Sequence, residues 1–127
     1  GAAIPAVSEL VTFEQIPVFS FGTRNIHTDR EAATAAGLPA PIAQGLMSTG
    51  YLSKVLVNFF GEHWFLSGRT SHAFLKTVEI DDIISAGGLV RDRVKESGGL
   101  RLVLDVWCRN QKGELTTAGN ASALMPN

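Results

Sequence analysis

One cysteine, Cys108, stands in a chain of 127 residues. No internal disulfide can form, and a reducing compartment is the expectation. Charge is scarce as well: charged residues make up 18% of the sequence, the formal net charge is −1, and no basic run occurs. That balance lacks the electrostatic footprint of a nucleic-acid binder or of a protein drawn to an anionic membrane. No apolar run approaches the roughly 20 residues that cross a bilayer. Gly1-Ala2-Ala3-Ile4-Pro5 has neither the basic start nor the apolar core of a signal peptide, so a cytoplasmic location is expected. Metal patterns are missing too. There is no H-E-x-x-H and no C-x-x-C, and His63 and His72 stand at spacings from His27 that fit no metal motif, so neither metal nor other cofactor is expected. Gly-x-Ser-x-Gly and phosphate-binding glycine loops are absent.

What is present is an ordinary globular mixture, 45% apolar, of a length that suits one domain over residues 1–127. Residues 1–14 are weakly patterned and read as an arm or edge segment. Pro17-Val18-Phe19-Ser20-Phe21 is a strand or turn that Gly22 ends. Thr28 with Glu31 three residues on forms a capping box for a short alanine-rich helix, which Gly37-Leu38-Pro39-Ala40-Pro41 stops. From Ala43 to Phe60 apolar residues recur at helical spacing over most of the circumference. Such a helix must be buried nearly all round. Strands follow over Ser71 to Ile80, Gly88 to Glu96, Arg101 to Arg109 and Glu114 to Met125, with turns at Gly98-Gly99 and Asn110-Gln111-Lys112-Gly113. One long helix followed by successive antiparallel strands is an α+β layout, with the sheet wrapped around the helix.

Two stretches carry candidate chemistry. Asn25-Ile26-His27-Thr28-Asp29 sets an imidazole just before a helix start, and Gln44-Gly45-Leu46-Met47 opens the long helix. A ring that titrates near neutrality, facing unpaired helix N–H groups, suits work on a polarised carbonyl. Gly45 either presents such an N–H or allows close helix–sheet packing. Asp29 favours the dipole of its helix. Asp81-Asp82, being adjacent, face opposite ways and read as a solvated turn. Cys108 alternates with Leu102, Leu104 and Val106, as a buried structural thiol does.

The order of N-x-H-T-D, then P-x-P-I-A-x-G-L-M into a long helix, then a meander ending in N-x-x-G-E and G-x-A resembles a MaoC-like, (R)-specific enoyl-CoA hydratase domain over roughly residues 12–126. The resemblance implies a hot-dog fold and a hydro-lyase acting on enoyl or 3-hydroxyacyl thioesters. It makes His27 the acid/base and the Gly45 N–H the oxyanion donor. Gly22 stands five residues before His27, where the family signature D-x-N-P-[IL]-H-x-[DE] has aspartate, and Gln44 stands where the family usually has histidine. Asn25 is therefore assigned to orient water, or Arg24 to hold a substrate carboxylate, with Gln44, Ser53 and Met47 as further substrate contacts. Arg91, Arg93 and Lys95, on one strand face, either meet solvent or contact CoA phosphates. The implied partners are an acyl-CoA or acyl carrier protein thioester and a second copy of the chain in a homodimer. Two other readings use the same scaffold: thioester hydrolysis, isomerisation or cyclisation, and a non-catalytic partner subunit that binds acyl thioesters.

Overall fold

In a computed structural model of the protein, the described residues are 1–12, 15, 26, 30–38, 42–43 and 45–127. In chain order they form β1 (Ala3–Leu10), α1 (Arg30–Ala35), α2 (Gly45–Phe60), α3 (Glu62–Ser67), β2 (Arg69–Phe74), β3 (Ile83–Glu96), β4 (Gly99–Arg109) and β5 (Leu115–Pro126). The strands build one five-stranded sheet in the order β1-β3-β4-β5-β2, antiparallel throughout, and α2 packs across it. This is the hot-dog arrangement. Among the described residues no helix is long and apolar enough to cross a membrane.

Alternation governs β4: Leu104, Val106 and Cys108 are fully buried against α2, while Asp105 and Trp107 turn away. From α2 come Leu52, Val55, Leu56 and Phe60, and Ile84 of β3 joins them. Each such side chain contributes roughly 1.5–3 kcal/mol by leaving water. The expected burial of α2 on nearly all sides is not what the chain shows. Leu46, Gly50, Lys54 and Asn58 form an exposed stripe at four-residue spacing, and Leu46 is 59% accessible. Lys54 reaches from that stripe to Glu9 of β1 at 2.7 Å.

The meander departs from its sequence-based boundaries in three places. The strand expected over 71–80 is β2, which ends at Phe74; Leu75 and Lys76 still donate to Thr116 O of β5, and the residues beyond them pair elsewhere. Ala43 N–H donates to Val78 O at 2.7 Å, and Ile42 bridges Glu79. The strand expected from Gly88 begins instead at Ile83 and runs through Gly87-Gly88. Gly88 is required there, since a Cβ would lie 2.6 Å from Asp105 O on the neighbouring strand. Third, α3 was not expected: Gly61, at φ 61°, breaks the apolar run and a second helix starts directly after it.

The Asp81-Asp82 turn is solvated only at Asp81, which is exposed. Asp82 is 8% exposed, and its carboxylate accepts from Glu79 N–H and from Gln111 Nε2, both at 2.9 Å. Asp81 takes the left-handed φ of 69°. Along β3 the register shifts between Val90 and Asp92, so the simple alternation that put Arg91, Arg93 and Lys95 on one face is interrupted, and Arg91 faces Asp105 at 3.3 Å. The short helix α1 ends as expected at Gly37: Leu38 N–H donates to Ala33 O and Gly37 N–H to Thr34 O, each at 2.9 Å. The Pro17–Phe21 segment and the Thr28 cap lie outside the described residues.

Candidate active site

The site begins at the first turn of α2. Gly45 is the first helical residue, so its N–H is one of the four that open a helix without an acceptor inside it. Glycine lets the Phe74 ring of β2 lie close: a Cβ there would come 2.6–2.9 Å from three of its ring atoms and push that exposed ring aside. The Phe74 ring thus forms one wall beside the helix start.

Beside Phe74 on β2 stands His72, half-buried, with its ring at 5.6 Å and edge-on to Phe74. Its Nε2 meets Thr49 Oγ1 at 2.9 Å and its Nδ1 meets Thr70 Oγ1 at 3.3 Å. Thr49 Oγ1 also lies 3.4 Å from Gly45 O, so its proton goes to that carbonyl or to Nε2 according to the imidazole tautomer. The imidazole is linked in this way to the residue that opens the helix.

A cavity of about 320 Å³ opens at this point. Ile42, Ala43, Gly45 and Ser48 line it on the helix side, and Phe74, Leu75, Lys76, Thr77, Val78 and Thr117 on the sheet side. Its wall is tied to the segment that precedes α1, because Ile42 N–H donates to Ile26 O at 3.1 Å. Lys76 at the cavity bonds to Glu114, and this contact, with Asn110, holds the Glu114 carboxyl below its usual range. A polar recess of about 170 Å³ adjoins it through Lys76 and Thr77.

Behind the cavity, Thr117 of β5 pairs across the strands with Cys108 of β4. Burial pushes the Cys108 thiol up to about 12, with Thr117 opposing slightly. A thiol so held is no nucleophile near neutrality. Thr117 itself is 1% exposed, and its Oγ1 has no conventional hydrogen-bond partner among the described residues. The Cys108 sulfur beside it is only a weak acceptor.

Of the residues singled out from sequence, Gly45 lines the cavity. Met47 is 3% exposed in the core, and Ser53 is half-buried two turns along α2, about 12 Å from the helix start, where it does not line the cavity. Arg24, Asn25, His27 and Gln44 lie outside the described residues. Ser48, Phe74, His72 and Thr117 were not singled out for this site. For Thr117 a signal existed: alternation on the last strand puts a hydroxyl on the core-facing side.

Helix N–H groups over a largely apolar cavity are suited to an oxygen that gains negative charge. Residues 11–101 match the family model of the MaoC-like domain. The chain belongs to the MaoC-like domain family. Solved structures of the fold include a monoamine oxidase regulatory protein from Archaeoglobus, at 23% identity and a TM-score of 0.84, over 100% of this chain and 90% of that one. The R-hydratase PhaJ1 of Pseudomonas aeruginosa superposes at 18% identity and 0.80, over 100% and 81%. The ChsH1-ChsH2 complex of Mycobacterium tuberculosis does so at 20% and 0.78, over 98% and 97%. No curated protein sequence matches the chain.

Proposed function

We propose that this MaoC-like chain is a single-domain hydro-lyase, adding or removing water at an enoyl or 3-hydroxyacyl thioester of coenzyme A or acyl carrier protein. The observation that carries the reading is Gly45, the first residue of α2, at the wall of the 320 Å³ cavity. In hydration, the hydroxyl of water bonds to Cβ, a proton reaches Cα, and the thioester oxygen passes through an enolate. The Gly45 N–H stabilises that oxygen. His27 moves the protons, and Ile26, its neighbour in sequence, is bonded to cavity residue Ile42. Asn25 orients the water in place of the family's aspartate, Arg24 and Gln44 contact substrate, and Ser48 supplies the α2 hydroxyl nearest the helix start. The protein works in a reducing, cytoplasmic compartment as a homodimer, joined along the open edge of β2. A hydratase among the structures of this fold supports the chemistry.

The test is mass spectrometry of the protein incubated with enoyl- and 3-hydroxyacyl-CoAs, branched and dicarboxylic ones included, beside His27→Ala. Gain or loss of one water, absent with the variant, is the expected result. Release of free CoA would mean thioester hydrolysis. Bound but unchanged esters would mean a partner subunit without catalysis of its own.

A further inference from the structure

Ser48 of α2 is 3% exposed and lines the cavity that Gly45 also lines. Its Oγ makes no hydrogen bond among the described residues, and it is not one of the hydroxyls sealed off from all contact with solvent, as those of Tyr51, Thr116 and Thr117 are. In a residue so buried, the surface that Oγ keeps belongs to the cavity. The neighbouring hydroxyls are placed differently. Thr49 Oγ1 is engaged by His72 at 2.9 Å, and Thr77 is an exposed residue on the sheet side. Alanine would pack in this helix at least as well, so a buried hydroxyl without a partner has its use only when something in the cavity bonds to it.

Position narrows what that bond is for. Ser48 follows Gly45 by three residues and so stands on the same side of α2. Each Cα–Cβ bond of a helix leans toward the N-terminus, and the Ser48 side chain therefore overhangs the first turn, where the N–H groups lack acceptors inside the helix. No carboxylate or imidazole among the described residues bonds to Ser48, so nothing draws off its proton. It is neither a base nor an activated nucleophile near neutrality. What it offers is a donor. The cation at the cavity, Lys76, already bonds to Glu114, so an oxygen that gains charge near Gly45 has to be held by neutral donors of the helix.

On the reading that the cavity takes an acyl thioester with its carbonyl at Gly45, we infer that the Ser48 hydroxyl is a second donor to that carbonyl oxygen. Gly45 N–H and Ser48 O–H form a two-donor oxyanion hole drawn from four consecutive residues of one helix. Ser48 is then a catalytic residue that keeps its proton throughout, its hydrogen bond strengthening as the oxygen takes on enolate charge.

The test uses an unreactive analogue of butanoyl-CoA in which CH2 replaces the thioester sulfur, and a twin whose carbonyl is also reduced to CH2. Calorimetry gives the affinity of each, and infrared difference spectra of the isotope-labelled carbonyl report the hydrogen bonds that its oxygen accepts. Wild-type protein is expected to prefer the ketone, with its carbonyl band below that of the analogue free in water. Ser48→Ala is expected to raise the band and to shrink the preference about tenfold, leaving the reduced twin bound as before. Ser48→Thr, which keeps the hydroxyl, is expected to restore both. Circular dichroism melts of Ser48→Ala should match or exceed wild type, since the hydroxyl lost had no partner in the fold. A band and preference unchanged in Ser48→Ala, or an equal loss of affinity for both analogues, would overturn the inference and leave the thioester reading intact. Equal binding of the two analogues by wild type, or binding of neither, would remove the carbonyl site at Gly45 and this inference with it.

Discussion

Cys108 is a polar group kept in the core as an apolar one. Cys108 behaves as a small apolar residue, its Sγ no closer than 3.9 Å to Ser48 O and its side chain fully buried. The thiolate has no favourable surroundings, so burial raises its pKa from 9.0 to about 12. The consequence for stability has a definite sign. A raised folded-state pKa means that the unfolded chain gives up this proton first. The contribution is therefore complete below pH 9 and is lost progressively as pH climbs from 9 toward 12. Tyr51, whose phenol is raised by burial and by Glu9, adds loss of the same sign at higher pH. Denaturant titrations from pH 7 to 10.5 should show stability falling, with a Cys108 share of at most about 1.4 kcal/mol per pH unit. Cys108→Ala should shrink that slope while lowering stability at pH 7 by about 1 kcal/mol through the small cavity it leaves. An identical slope in the variant would mean that other groups carry the dependence.

At the scale of elements, local chemistry decides which boundaries can be read from sequence. The β4–β5 turn was legible because its own residues hold it, Gly113 at a left-handed φ of 77° and Asn110 through its side chain. Its Oδ1 accepts from Lys112 N–H at 3.0 Å and from Glu114 N–H at 3.1 Å, its Nδ2 donates to Glu114 Oε1, and it is 8% exposed. Asn110→Ala leaves two backbone donors without that acceptor and should cost about 1–3 kcal/mol in chemical denaturation; Asn110→Asp, which keeps the acceptor oxygens, should recover part of the loss. The long helix was legible from spacing, and alternation gave β4. Other boundaries depended on distant contacts. Where β2 ends is set by Ala43 and Ile42, some 35 residues away in the chain, which take up Val78 and Glu79. Where β3 begins is set by a gap that only the neighbouring strand reveals, since Gly88 is a break in sequence and a fit in space. The candidate site follows the same division. Gly45 could be found from the start of a helix, whereas Phe74, His72 and Thr117 join it only because β2 and β5 lie side by side under that helix.

At the scale of the molecule, the sheet has an edge at β2 that no other described strand covers. Leu75 N–H donates to Thr116 O at 2.8 Å, which fixes the orientation of β2: Arg69, Ser71 and Ala73 turn their backbone groups toward β5, and Thr70, His72 and Phe74 turn theirs outward. Among the described residues no strand pairs with that outer side, and Phe74 and Leu75 on it are 55% and 57% exposed. An uncovered edge beside apolar side chains invites a second strand. If two copies join there, β2 of each meets β2 of the other and both cavities come to lie beside the junction, since Phe74 belongs to both features. Proline separates the two sides of the strand cleanly. Thr70→Pro removes an outward N–H and spares the β5 ladder, so the protein should stay folded and sediment as a monomer. Ser71→Pro removes an inward N–H and should instead lower the melting temperature whatever the association state. Sedimentation equilibrium and circular dichroism melts on the pair distinguish the cases. A wild-type monomer at micromolar concentration, or a Thr70→Pro protein that remains dimeric, would place the interface elsewhere and leave the β2 edge bare.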